Sequence, residues 1–325
     1  MEEPVLLAQV RGVGKYFKLG RHTIRAVDDV TFDVRAGETI GLVGESGCGK
    51  STLARLMVQL HTVTFGHIFF EGVDLTRLGG EQLRKTRRGL QMIFQDPYSS
   101  LDPRMTVGDI IAEPLLNFPG VHREEREHRV LELLQDVGLS PRARNRYPHE
   151  FSSGQRQRVG IARALALRPR LIVCDEPLSA LDVSVQAQII NLIQDIKVRF
   201  GLTLVFIAHD LSVIRHISDR VMVMYLGKIV EVGDCEEVFR RPRHPYTQAL
   251  LRSVPIADPD PEVQRGVVPM AGETPSAISP PRGCHFHPRC PEARAPGICS
   301  EMEPALEGKG ASSFVACHFA PKDST

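Results

Sequence analysis

Gly44-Glu45-Ser46-Gly47-Cys48-Gly49-Lys50-Ser51-Thr52 follows the apolar run Ile40 to Val43 and precedes a helix-compatible segment, Leu53 to Leu60. The stretch fits a phosphate-binding pattern, the P-loop: Gly, four residues, then Gly-Lys-Ser. Each residue type has a physical reason. Glycines let backbone N–H groups curl around phosphates, Lys50 brings a compact positive charge to the β- and γ-phosphates, and Ser51 offers a hydroxyl to Mg²⁺. A strand before the loop and a helix after it are the context in which such a loop binds a nucleotide; a glycine-rich turn with an incidental lysine needs neither.

The whole chain sets wide bounds. Its 325 residues suggest about two domains, and 42% hydrophobic with 24% charged residues is ordinary for a globular protein. Forty basic against 39 acidic side chains leave no bias toward nucleic acid or an anionic membrane surface. No apolar run approaches the roughly 18 residues that cross a bilayer, and Met1-Glu2-Glu3-Pro4 lacks the layout of a secretory signal, so a cytosolic chain is expected. Seven cysteines fit a reducing compartment better than a disulfide framework, and four of them fall between Cys284 and Cys317.

Upstream of the loop, residues 5–10 and 27–34 alternate apolar and polar (Val27, Val30, Phe32, Val34) and read as strands of a small sheet. Tyr16 and Phe17 lie between them; one of the pair is a candidate to stack on an adenine, with core packing as the alternative, and the spacing to the loop favours Phe17. Downstream, Ile68-Phe69-Phe70 and Leu90 to Phe94 read as strands, with the basic stretch Arg84 to Arg88 as a solvated helix face. From Val107 to Ala166 the texture is helical and charged, which predicts a helical insertion. Strand texture returns at Leu171 to Cys174, Thr203 to Ala208 and Val221 to Met224, with an amphipathic helix over Val183 to Phe200, so a parallel sheet covered by helices is expected. Past Pro255 the chain turns to Pro, Gly and short polar pieces such as Asp258-Pro259-Asp260-Pro261, which marks a boundary between residues 1–255 and a loop-rich extension, 256–325.

Leu171-Ile172-Val173-Cys174-Asp175-Glu176 is a buried-type strand ending in two carboxylates, a costly placement unless they serve an ion or a reaction. As in a Walker B strand, Asp175 would hold Mg²⁺ and Glu176 would polarise an attacking water. Phe151-Ser152-Ser153-Gly154-Gln155-Arg156-Gln157-Arg158 opens a helix whose N-terminus presents free N–H groups to an anion. Its place some twenty residues before the Asp-Glu pair makes the chain resemble the ATP-binding subunits of ABC transporters, whose Leu-Ser-Gly-Gly-Gln signature occupies this position. Gln95 after its strand matches that family's Q-loop, Ser179-Ala180-Leu181-Asp182 its D-loop, and His209 its switch histidine.

The resemblance implies an α/β, ABC-type P-loop NTPase with an antiparallel β subdomain, a helical subdomain over about 96–166 and a Cys-bearing C-terminal extension. It also implies ATP held between the P-loop of one subunit (Gly44 to Thr52, with Phe17 on the base) and the signature (Ser152, Ser153, Gly154, Gln155) and D-loop Asp182 of another. Ser51, Gln95 and Asp175 would serve Mg²⁺, with Glu176, Gln95 and His209 as the catalytic set. Further stretches (Gln95 to Pro103, Asp182 to Gln188, Tyr225 to Glu231, Arg243-His244-Pro245-Tyr246-Thr247) are similar to the ATPases of dipeptide and oligopeptide importers, related members of which take up nickel and other solutes. Such a subunit would work at the cytoplasmic face of the membrane with a second, distinct ATPase and two permease subunits, indirectly with an extracytoplasmic solute-binding protein, and without nucleic acid. ABC-type ATPases acting on DNA or ribosomes form another class; the long coiled-coil insertion of the first and the paired domains of the second are both missing from this sequence. A plain P-loop kinase would need neither signature nor D-loop. Ser153 departs from the family's Gly: its side chain would crowd a backbone meant to approach a γ-phosphate, or add a donor to it.

Cys284, Cys290, Cys299 and Cys317 stand in a tail poor in apolar residues. Four thiolates can close a zinc site or hold a [4Fe–4S] cluster. Zinc sites usually show Cys-x₂₋₄-Cys knuckles, absent here, so the spacing favours iron and sulfur over zinc, with free thiols as the third reading. His285, His287 and His318 are expected to be surface residues rather than substitute ligands.

Overall fold

A computed structural model describes residues 5–118, 122–253, 272–309 and 313–321. The expected boundary at Pro255 and the Asp258 to Pro261 run lie outside them. The chain forms two compact units, one from Met1–Leu7, Val34–Thr39 and Arg77–Ala208, the other from Ala8–Asp33, Ile40–Thr76 and His209–Thr325.

Past Leu7 the chain enters the second-named unit. Strands β1 (Leu6–Leu19) and β2 (His22–Arg35) carry the expected alternation, with Val30, Phe32 and Val34 turned inward. Strand β3 (Thr39–Val43) is buried at every position, which is why it reads as an unbroken apolar run. Helix α1 (Lys50–Met57) follows, then β4 (Phe65–Phe70) and β5 (Val73–Asp74). The four-stranded sheet has the order β2-β1-β4-β5, with β4 antiparallel to β1 and β5.

The other unit holds α2 (Gly80–Thr86), β6 (Leu90–Ile93), α3 (Pro97–Ser100), α4 (Val107–Leu116), α5 (Arg123–Asp136), α6 (Ser153–Leu165), β7 (Leu171–Asp175), α7 (Val183–Phe200) and β8 (Thr203–Ile207). β7 lies between β6 and β8, parallel to both, pairing Leu171 with Leu90 and Thr203. Helices α4, α5 and α6 pack on one another, with Ile110, Ile111, Leu133, Leu134, Val159 and Ile161 buried. Arginines finish carbonyls that helix ends and turns leave unpaired. Arg163 donates to Ser100 O at 2.6 Å, Arg158 to Val137 O at 2.6 Å and Arg129 to Leu165 O at 3.1 Å.

The first-described unit then resumes with α8 (Leu211–Ile217), β9 (Arg220–Tyr225), β10 (Lys228–Asp234), α9 (Cys235–Arg240), α10 (Pro245–Arg252), a short α11 (Ile298–Glu301), β11 (Glu307–Gly308) and β12 (Phe314–Val315). Here the strands run in the order β3-β9-β10-β12-β11, and only β3 and β9 are parallel. β9 thus runs parallel to the P-loop strand as expected, and the antiparallel strands β10, β12 and β11 are additions that the sequence did not announce as strands. β9 and β10 form a hairpin across Leu226 (φ 42°) and Gly227 (φ 81°), both left-handed as a tight hairpin turn requires. Leucine is an unusual residue there, so the turn carried no sequence signal. Among the described residues no helix is long and apolar enough to cross a membrane.

Candidate nucleotide site

The P-loop leaves the buried end of β3 and closes on α1. Gly49 caps α1 with φ 111°, and a Cβ there would lie 2.1 Å from Ala26 O, so glycine is obligatory. Lys50 is buried, its Nζ donating to Gly44 O at 2.8 Å and Glu45 O at 2.9 Å, which holds the ammonium over the loop. Ser51 and Thr52 open the helix half-buried, while Ser46 is exposed. Cys48 is buried beneath the loop, its C=O accepting from Gly227 N–H at 2.9 Å and its thiol pushed up by burial.

Glu45 is tied from outside the loop. Its N–H donates to Tyr246 Oη at 2.8 Å, and its carboxylate takes two parallel bonds from Arg289, 2.8 and 3.0 Å, plus one from Thr274 Oγ1 at 2.8 Å. Burial pushes this carboxyl up, but the Arg289 and Thr274 bonds and the guanidinium charge outweigh it and hold the group below its ordinary value.

Of the two aromatics on β1, Tyr16 is spoken for: its hydroxyl bonds Asp28 and its ring packs edge-on against Phe65 at 5.4 Å. Phe17 stays half-buried, edge-on to His61 at 5.7 Å. His209 is exposed, just ahead of α8, whose N-cap Asp210 accepts from Ser212 N–H at 2.7 Å.

The other unit brings a second set together. Asp175 ends β7 and is buried, as is Glu176, which adopts φ 48° and donates its N–H to Ile207 O at 3.1 Å. That left-handed backbone lets Glu176 leave the strand line while staying tied to β8. Gln95 Nε2 donates to Glu176 Oε2 at 2.7 Å, and Ser179 Oγ donates to Glu176 O at 3.1 Å. The D-loop is held by Gln186, whose Nε2 donates to Leu178 O and Leu181 O at 3.2 and 2.9 Å, and Asp182 stands at the N-cap of α7.

The signature forms a capping box. Ser152 Oγ accepts from Gln155 N–H at 3.3 Å and Gln155 Oε1 from Ser152 N–H at 3.1 Å. Gly154 is where α6 meets α7, since a Cβ would fall 2.5 Å from Val185 Cγ1. Ser153 opens α6 with a negative φ, so the departure from Gly brings no backbone strain.

The cysteines, far apart in sequence, share one recess. Cys284, Cys290, Cys299 and Cys317 line a space of about 350 Å³, mouth included, together with His244 and Phe286. Burial pushes Cys284 up to about 11 and raises Cys290 and Cys317, so they are thiols at neutral pH. Among the described residues no three His, Cys, Asp or Glu side chains are drawn together as one metal ion would need. His244 is fully buried, and burial takes its imidazole down to about 3. Its Nδ1 accepts from Tyr246 N–H at 3.0 Å, which leaves the proton on Nε2, and Nε2 makes no hydrogen bond within normal geometry. Against expectation His285 is not a surface residue: it is buried with Nδ1 against Leu226 O at 3.2 Å, away from the thiol recess. His287 and His318 are half-buried at the recess, bonding Cys284 O and Met302 O.

Sequence reading gave Thr274 and Arg289 no role in the site and quoted Tyr246 only as part of a resemblance. Nothing local marks them, because their partner Glu45 lies more than two hundred positions away.

Residues 27–179 match the family "ABC transporter", and residues 230–299 match "Oligopeptide/dipeptide transporter, C-terminal region". The chain is 52% identical to the oligopeptide transport ATP-binding protein AppF of Bacillus subtilis (strain 168), over 96% of this chain and 97% of AppF. It is 54% identical to OppF of Escherichia coli (strain K12), over 91% and 88% of the two chains. Among solved structures it resembles the ADP- and Pi-bound dimer of the ATP-binding cassette MJ0796, with 31% identity, TM-score 0.65, and 70% of this chain covering 99% of that one. Clostridium perfringens cbiO1, part of the cbiONQ ABC transporter complex, gives 25% identity and TM-score 0.65, with 74% of this chain covering 92% of that one. The fold is thus the ABC-type P-loop NTPase cassette, and with relatives this similar along nearly its whole length the chain belongs to the ATP-binding subunits of ABC transporters, in the oligopeptide/dipeptide branch.

Proposed function

We propose that this chain hydrolyses ATP to power import of di- or oligopeptides, as a peripheral subunit at the cytoplasmic face of the membrane. The observation that carries the hydrolytic reading is the buried Glu176, aimed off the end of β7 beside Asp175 and held by Gln95 at 2.7 Å. The peptide reading is supported by the names its relatives carry and by the match over residues 230–299.

In this reading the Gly44 to Gly49 backbone, Lys50 and Thr52 receive the phosphates, and Phe17 receives the adenine. Ser51, Gln95 and Asp175 are oxygen donors suited to Mg²⁺, which when bound spreads the charge of the β- and γ-oxygens. Glu176 orients the attacking water and accepts its proton, and His209 donates to the γ-phosphate. Ser152, Ser153, Gly154, Gln155 and Asp182 act in trans, on the nucleotide of a second, distinct ATPase subunit. Two permease subunits and, indirectly, an extracytoplasmic solute-binding protein complete the machine.

For the extension, residues 256–325, the reading is a structural [4Fe–4S] cluster on Cys284, Cys290, Cys299 and Cys317, with zinc as runner-up. Thiols that line one recess without closing on a point suit a cluster better than a single ion. Buried His244, whose Nε2–H faces Ala316 at the edge of the recess, lines the same space as the thiols.

The deciding experiment is Glu176→Gln in the assembled transporter. ATP binding should persist, turnover should fall by about 10²- to 10⁴-fold, and a closed ATPase dimer should accumulate with ATP. Undiminished hydrolysis would remove Glu176 from its role.

A further inference from the structure

A carboxylate inside a phosphate-binding loop poses an electrostatic problem. Glu45 is the second residue of the P-loop, its C=O shared with the Lys50 ammonium at 2.9 Å, so an ionised side chain there repels an incoming polyphosphate. The charge that answers it lies outside the loop, since Arg289 engages both Glu45 oxygens as a two-pronged fork. The Arg289 side chain is only 5% exposed, and its fork is aligned by Thr274 at 3.3 Å and Tyr225 Oη at 3.4 Å. Its backbone is equally constrained: the turn His287–Arg289 donates Arg289 N–H to Phe286 O at 3.0 Å and leads directly into Cys290 at the thiol recess. Phe286, 1% exposed, packs against Tyr225 and Tyr246 at 5.2 and 5.4 Å, and Tyr246 takes the Glu45 N–H. Backbone and side chain of Glu45 are thus both held by the layer that docks the cysteine extension.

We infer that Arg289 is a positioning residue of the nucleotide site: it neutralises Glu45 and fixes the loop around Lys50, so the cysteine-bearing extension sets the affinity for the nucleotide phosphates. The inference rests on the P-loop as the nucleotide site. The pairing of this guanidinium with this carboxylate is local and calls for no group in the recess. It also gives the extension a task in the ATPase cycle beyond holding itself together.

The test uses the full-length chain and MgADP and MgATP as probes, with dissociation constants from calorimetry. Arg289→Gln should weaken binding of both by about ten- to a hundredfold, the effect of leaving a part-buried carboxylate unpaired beside the phosphates. Adding Glu45→Gln to Arg289→Gln should recover most of that loss, because the repulsion goes with the charge. Arg289→Lys, which keeps the charge but not the fork, should fall between in affinity and, in the assembled transporter, raise KM for ATP with little change in kcat. Unchanged affinity in Arg289→Gln overturns the inference. So does a loss that Glu45→Gln leaves in place, which would make Arg289 a mere prop for the extension. Should Arg289→Gln not fold, Arg289→Lys decides on the same terms: an unaltered KM overturns the inference, and a raised KM recovered by Glu45→Gln supports it. Absence of nucleotide binding by the unsubstituted chain would instead sink the P-loop reading itself.

Discussion

The P-loop and the cysteine extension sit in the same compact unit and owe their shapes to local backbone geometry in different measure. In the loop, the conformation is written residue by residue: Gly44, Gly47 and Gly49 take φ of 153°, 77° and 111°, angles that side chains disfavour. In the extension Gly283 and Gly297 (φ 70° and 144°) shape local turns in the same way, but what gathers the cysteines is a core lent by other elements. Cys284 and Cys317 come to one recess because Phe286 is buried among Tyr225, Tyr246 and His244, and because β12 pairs with β10. A short loop that must present backbone N–H groups to phosphates cannot delegate its geometry; a long tail with few apolar residues must borrow a core.

That contrast is open to measurement. The largest effect is expected inside the loop, where Gly49→Ala drives a Cβ to 2.1 Å from Ala26 O, whereas Gly47→Ala meets nothing within 4 Å. Denaturant titration should show a loss of about 4 kcal/mol for the first and about 1–2 kcal/mol for the second, from backbone strain alone. Equal losses would mean that the loop is not held by close backbone packing.

The extension should respond to chemistry at its thiols. Anaerobic purification followed by iron, sulfide and zinc analysis, with all four cysteines changed to serine as the comparison, should reveal a bound group whose removal costs roughly 3 kcal/mol of resistance to denaturant. A well-folded protein holding none of the three, and unaltered by the substitutions, ends the metal reading.

The smallest effect belongs to the bridge between the two regions. Glu45 is held below its ordinary value of 4.5, and Arg289, Thr274 and Lys50 are the groups that hold it there. A depressed carboxyl stabilises the fold fully above its unfolded value and loses that contribution as pH falls through the folded one. Stability relative to Glu45→Gln should therefore be level from neutral pH down to about 4.5 and then shrink in more acid solution. A difference that changes between pH 7 and 5 would show that another group is responsible.

How much was legible follows the same division. The buried strands β3, β7 and β8 announced themselves as apolar runs, and Asp175-Glu176 stood out because two carboxylates at the end of such a run need a purpose. The hairpin of β9 and β10 did not, since Leu226 occupies a turn position where Asn or Gly would have been a signal. Two stretches noted only for their resemblance gained a physical reason: buried Glu231 accepts the N–H groups of Arg243 and His244 at 2.8 and 3.0 Å, so Tyr225 to Glu231 and Arg243 to Thr247 are two sides of one contact.

By itself the sequence determined the phosphate loop, the acidic strand end and the capped signature helix, because each rests on residues within a few positions of one another, and the family, because those short motifs follow one another in one order along the chain. Only the tertiary structure decided that four thiols share a recess, that His244 is fully buried beside them, and that Arg289 answers the charge of Glu45. Those pairings join residues separated by tens to hundreds of positions, and their energy comes from burial and charge neutralisation that exist only once the chain has folded back on itself.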